Sequence, residues 1–224
     1  MDLTSGLPFS GLICEPSPNR TRPKASNIML NRTFASLILV ASACAAAPIS
    51  LAQSGGAPLS KPQQPIAAEK NPPGDIPDNQ VFVAVRSPLG FSIQVPEGWA
   101  RREWPGAVSF SDKYNSLQVA VTARAAAPTL ASLKANEVAV LEKSPKAIRV
   151  ASVQPLMLPA GPAFVVRYGA NSDRNPVNNK AIRLDNASYY FWKAGKLATL
   201  TVSAPAGADN ADQWQLMAKS FAWQ

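Results

Sequence analysis

"GFSIQVPEGW" (residues 90–99) is the stretch on which the fold turns. Phe91, Ile93 and Val95 alternate with Ser92 and Gln94, the period of two that marks a strand with one buried face. Pro96 presets φ for the second position of a turn, and Gly98 suits the end of that turn. Trp99 then anchors the turn against the core or the sheet edge.

Reading outward, "VFVAVR" (81–86) forms a preceding strand that stops at the Pro88–Gly90 turn. "AVSFS" (107–111) turns Val108 and Phe110 inward. Asp112 to Asn115 make a hairpin loop, and "LQVAVTA" (117–123) returns with Leu117, Val119 and Val121 on the core side. Pro128 and Thr129 then open a helix, with Thr129 as N-cap. Leu130, Leu133, Val140 and Leu141 form its apolar stripe, and Pro145 stops it. Four more strands follow, over 147–153, 163–169, 187–193 and 197–203, the last two joined through Ala194-Gly195. A final helix begins near Asp209, whose carboxylate is placed to cap it, and buries Trp214, Met217 and Phe221. Helices set apart from runs of antiparallel strands give an α+β fold, an antiparallel β-sheet packed against helices.

Upstream of this domain the composition changes. Residues 29–52, "MLNRTFASLILVASACAAAPISLA", have a cation at Arg32, an apolar run from Phe34 to Ala47, a break at Pro48, and small residues before a cut after Ala52. This is the layout of a secretory signal peptide, and the run is short for a membrane span. Ala41-Ser42-Ala43-Cys44 resembles a lipobox without its usual leucine, so lipidation at Cys44 is the alternative route. Met29 is read as the start, which makes residues 1–28 an upstream extension. Residues 53–80 carry six prolines and no apolar period, and read as a disordered Pro-rich linker. The folded unit is expected over 81–224, with 16 Lys and Arg against 9 Asp and Glu, a net charge of +7.

The side-chain inventory narrows the chemistry. The chain has no histidine, which removes His-based triads and histidine zinc sites. Cys14 and Cys44 both precede the domain, so no disulfide framework or thiolate cluster lies within it. No G-x-S-x-G occurs, no S-x-x-K occurs within the domain, and the glycines are dispersed rather than gathered into a phosphate loop. Glu97 and Glu103 flank the Trp99 turn, and Asp173 and Asp185 bracket the polar stretch 170–180. That stretch has too few acids at alternating positions for a calcium loop and reads as a long connection. No cofactor or metal is expected.

"YYFW" (189–192) is the most suggestive run. In a strand, Tyr189 and Phe191 face one side and Tyr190 and Trp192 the other. Either helices cover both faces or one face displays an aromatic patch. The candidate partner-binding residues are Arg101, Arg102, Arg174, Lys180, Tyr190 and Trp192.

The pattern G-F-x-I-x-x-P-x-G-W, followed by a hairpin, a helix, more strands and a terminal helix ending in "MAKSFAW" (217–223), resembles the PsbP/Mog-like superfamily. That superfamily takes in the photosystem extrinsic subunit PsbP, the Ran-binding Mog protein and bacterial exported DcrB-type proteins, the last being closest in organisation. The resemblance covers about residues 81–224 and implies a non-catalytic adaptor or assembly factor. Metal retention, which involves histidine in photosynthetic members, does not carry over to a chain without histidine. The expectation is an exported, periplasmic or secreted, non-enzymatic binding or adaptor module of the cell envelope. Its partner is a protein or envelope component, with no nucleic acid, and with membrane association only if Cys44 is lipidated. The alternatives are a small-ligand or lipid-binding protein, and a hydrolase working with carboxylates alone.

Overall fold

A computed structural model describes residues 61–224. The signal-peptide reading, residues 1–28 and the first part of the Pro-rich segment lie outside the described residues. Ten strands and three short helices follow in the order β1 (Phe82–Ser87), β2 (Phe91–Pro96), β3 (Ala100–Trp104), β4 (Ala107–Ser111), β5 (Ser116–Ala123), α1 (Leu130–Leu133), α2 (Ala139–Glu142), β6 (Arg149–Leu158), β7 (Gly161–Asn171), β8 (Arg183–Lys193), β9 (Lys196–Pro205), α3 (Ala211–Ser220) and β10 (Ala222–Trp223). The strands form two antiparallel sheets. One has three strands in the order β1-β2-β10. The other has seven, in the order β3-β4-β5-β9-β8-β7-β6.

The opening stretch sits where its pattern requires. Phe91, Ile93 and Val95 are buried in β2, facing the first side of the large sheet. The Pro96 carbonyl accepts the Trp99 N–H, so Pro96 takes the first place of the turn rather than the second. Gly98 holds φ +85°, the left-handed geometry that the third turn position demands. Trp99 is half-buried and packs on the core. The main core gathers β2, Met217, Ala218 and Phe221 against Val108, Phe110, Leu117, Val119, Leu200, Val202, Tyr189 and Phe191 of the large sheet. Phe221 stacks on Phe191 at 4.3 Å and on Phe91 at 5.5 Å between ring centroids.

A second, smaller core lies on the other side of the large sheet. Leu133 and Val138 cover Val166, Tyr168, Ala170, Tyr190 and Leu197 there. The helix that supplies them begins at a capping box, in which the Thr129 side chain accepts from the Ser132 N–H and Ser132 Oγ accepts from the Thr129 N–H. The expected apolar stripe is corrected. A π-helical turn over Lys134–Val138 joins α1 to α2, so Leu133 is in phase with Val138, five residues on. Leu130 is left at 37% exposure and Val140 at 69%. Strand β8 runs between the two cores, which explains its aromatic run: Tyr189 and Phe191 enter the main core and Tyr190 the second.

Three further expectations change. Strand β3 was not foreseen. Asp209 does not cap α3; its N–H donates to Asp75 Oδ1, and Asn210 occupies the cap position without a side-chain capping bond. The expectation of a free tether over 53–80 is corrected for its described part. Ile76 is 4% exposed within the main core. Asn210 Oδ1 accepts the Ile76 N–H at 2.6 Å, and Asn210 Nδ2 donates to the Gly74 carbonyl. Further upstream, Asn171 Oδ1 accepts the Ile66 N–H, and its Nδ2 donates to the Gln64 carbonyl and to Gln63 Oε1. Two buried asparagines thus strap residues 63–76 onto the domain.

Candidate functional site

The register of the large sheet lines up its second face in rows across the strands. One row runs Trp104, Ala107, Ala120, Thr199, Tyr190, Phe164. The next runs Arg102, Ser109, Gln118, Thr201, Ser188, Val166, and the third Ala100, Ser111, Ser116, Ser203, Asn186, Tyr168. The apolar ends of these rows, Phe164 with Tyr190, Val166 and Tyr168, are the ones that the helix covers. The other ends are open, with Arg102, Trp104 and Gln118 exposed. Between Arg102 and β8 the floor is built of small hydroxyl and amide side chains.

Where α2 ends, the covered and open halves meet in a groove of about 640 Å³. Leu141 and Ser144 form one wall, and Gln118, Thr201, Ser203 and Asn186 belong to its floor. Ser188 Oγ and Thr201 Oγ1 are hydrogen-bonded at 2.8 Å, and Asn186 Nδ2 donates to the Tyr168 carbonyl. Among the described residues, the side chains of Ser116, Gln118 and Ser203 make no hydrogen bond and are not buried without partners. Each therefore offers both a donor and an acceptor to solvent or to a ligand. At the rim, Lys146 Nζ lies 2.8 Å from Asp173 Oδ1.

A second cleft, of about 650 Å³, adjoins the first through Ser116, Ser172, Asp173, Leu184 and Ser203 and takes in Arg174 and Lys180. Both of these cations are exposed on the β7–β8 connection, where Arg174 Nη1 donates to the Asn179 carbonyl. A third cleft, of about 370 Å³, is lined by Phe164, Tyr190, Trp192, Pro128 and Pro162 beside the start of α1. Tyr190 is 4% exposed, so it serves as the floor of that cleft and not as a surface residue. Trp192 Nε1 donates to the Arg124 carbonyl. Burial, with Tyr168 nearby, pushes the Tyr190 phenol up to about 12, and burial raises Tyr168 and Tyr189 in the same direction. These phenols stay protonated across the physiological range and act there as neutral hydroxyls.

The six candidates thus fall on different elements. Arg101 and Arg102 are adjacent on β3 but point to opposite faces. Arg101 pairs with Glu103 at 2.5 Å and lies over the Phe110 ring, on the side of the main core. Arg102 heads the polar row of the second face, and among the described residues it has no ion pair. The cleft of Arg174 and Lys180 includes neither arginine of β3 and neither aromatic of β8. What the residue reading missed is the placement of Trp104, Gln118, Thr201 and Ser203 on one sheet face. Their signal is cross-strand register, which no single strand displays. The four carboxylates considered for chemistry are dispersed: Glu97 is exposed, Glu103 and Asp173 hold cations, and Asp185 Oδ2 accepts the Gly207 N–H. Among the described residues, no group of three or more Asp, Glu or Cys is placed to hold a metal ion, and no helix is long and apolar enough to cross a membrane.

No family model matches the chain, and no curated protein does. Its fold resembles several solved structures. Cyanobacterial PsbP from Synechocystis is similar at 17% identity and a TM-score of 0.45, over 67% of this chain and 98% of that one. The Saccharomyces cerevisiae Ran-binding protein Mog1p is similar at 12% identity and a TM-score of 0.43, over 64% of this chain and 96% of the other. A Pseudomonas aeruginosa protein of unknown function is similar at 11% identity and a TM-score of 0.42, over 62% and 94%. None of these three is described as DcrB-type.

Proposed function

We propose that this chain is an exported, non-enzymatic binding module of the cell envelope, and that its partner seats on the open half of the second sheet face. The observation that carries this reading is the row pattern. A solvated sheet face ordinarily carries long charged side chains. Here the two polar rows cross β4, β5 and β9 on serine, threonine and glutamine alone. Such a floor is low and uncharged, and in it the side chains of Ser116, Gln118 and Ser203 make no hydrogen bond among the described residues. Export rests on the sequence of residues 29–52, with release after Ala52 giving a chain that starts at Gln53.

Cross-linking in the native cells, followed by mass spectrometry, tests the proposal. Wild-type protein captures a specific partner, and a Gln118→Glu, Ser203→Glu variant of unchanged melting temperature does not. Equal capture by both proteins removes the face from the account. A second reading is favoured by the aromatic cleft of Phe164, Tyr190 and Trp192, which has the composition of a small apolar ligand site. Quenching of Trp192 fluorescence by a small apolar ligand, abolished in Phe164→Ala, would mark that reading.

A further inference from the structure

We propose that the open face takes an anionic oligosaccharide, one sugar ring stacking on Trp104 and its carboxylate meeting Arg102. The inference rests on the binding-face reading above and names the chemistry of the occupant.

Trp104 is 49% exposed at the end of an edge strand. Its neighbours along the row are Ala107 and Ala120, so the ground beside the indole is low. An exposed tryptophan with a flat clearing beside it is a stacking platform, and tryptophan and arginine are the side chains that most often carry binding energy at surfaces. The C–H face of a pyranose ring is apolar and flat, whereas its rim carries hydroxyls that both donate and accept. The adjoining row supplies the matching groups, in Ser109, Gln118 and Thr201.

The charge of the occupant follows from Arg102. Its neighbour Arg101 is committed to Glu103 on the opposite face, whereas Arg102 projects onto the platform without an ion pair among the described residues. The rows of Arg102 and Trp104 contain no acidic residue from β3 to β7. A guanidinium presents a planar fork that matches a carboxylate. Residues 81–224 carry a net +7 from 16 cationic and 9 acidic side chains, which favours an anion further. Single-stranded nucleic acid fits less well. It calls for successive stacking rings and several phosphate contacts, and the platform has one ring and one cation.

The experiment is calorimetric titration of the full chain with a uronate hexasaccharide prepared from alginate, with a dextran hexasaccharide and an oligothymidylate as comparisons. The expected result is saturable binding of the uronate that weakens with added salt. Trp104→Ala and Arg102→Gln should each weaken it roughly tenfold. Both side chains are exposed, so melting temperatures should hold, and Trp104→Phe should retain most of the affinity. Absence of uronate binding, insensitivity to both substitutions, equal binding of dextran, or tighter binding of the oligothymidylate each overturns the assignment. If uronate binding fails while capture in cells is still lost in the Gln118→Glu, Ser203→Glu variant, the ligand class is wrong and the binding face stands. If both fail, the face falls as well.

Discussion

Phe221 sits between Phe91 and Phe191 and meets Trp223 edge-on, fully buried where the terminal helix closes on the sheets. Removing such a ring costs about 3–5 kcal/mol, so Phe221→Ala should unfold at markedly lower denaturant, as chemical denaturation would show. Gly98 presents a different case. A Cβ added there meets nothing within 4 Å, so the penalty comes from its φ of +85° alone. Gly98→Val should lose about 1–2 kcal/mol, and Gly98→Asn, which tolerates that region, should lose less. Tyr190 provides a pH test. Its folded pKa of about 12 lies above the ordinary 10, so the unfolded chain releases its proton first as pH rises. The stability this group contributes is therefore complete below pH 10 and is lost towards pH 12, on the order of 2–3 kcal/mol. Tyr168 and Tyr189 act in the same sense. Tyr190→Phe should flatten that decline in denaturation curves taken across the window.

The strap over residues 63–76 and the helix after Thr129 show what a linear pattern conveys and what it omits. Strands β2, β4, β5 and β9 were readable because each sets apolar residues against a core at period two, and β8 because its aromatic run enters both cores. Strand β3 was not, since all five of its residues are exposed and nothing alternates. The helix was readable at its cap, but the π-helical turn inserts one residue into the repeat and moves Val140 out of the stripe. The strap had no period because one anchor, Ile76, and the side chains of two asparagines hold it, and those contacts join residues more than 100 positions apart. Asn210→Ala should leave the buried Ile76 N–H without a partner and cost about 1–3 kcal/mol. Ile76→Ala should cost about 2–5 kcal/mol. Thermal melts of both variants would check this, and unchanged melts would return the segment to the status of a free linker.

The seven-stranded sheet has one face closed by the small sheet and α3, and another that the helix covers only at its β7 and β8 end. The candidate site follows from that asymmetry. Of the residues singled out in the sequence, Arg102 lies on the open face, Tyr190 and Trp192 lie at the covered end, and Arg174 and Lys180 lie on the loop beside it. The floor itself could not be read, because Gln118, Thr201 and Ser203 become neighbours only through strand pairings made across some 80 positions of chain. The most direct test places a photo-cross-linking amino acid at Gln118 in cells producing the full chain, with the same label at the exposed loop residue Val177 as a reference. A discrete adduct from position 118 and none from position 177 is the result expected of a partner seated on the open face. Adducts from 177 alone, or equal smears from both positions, would contradict it.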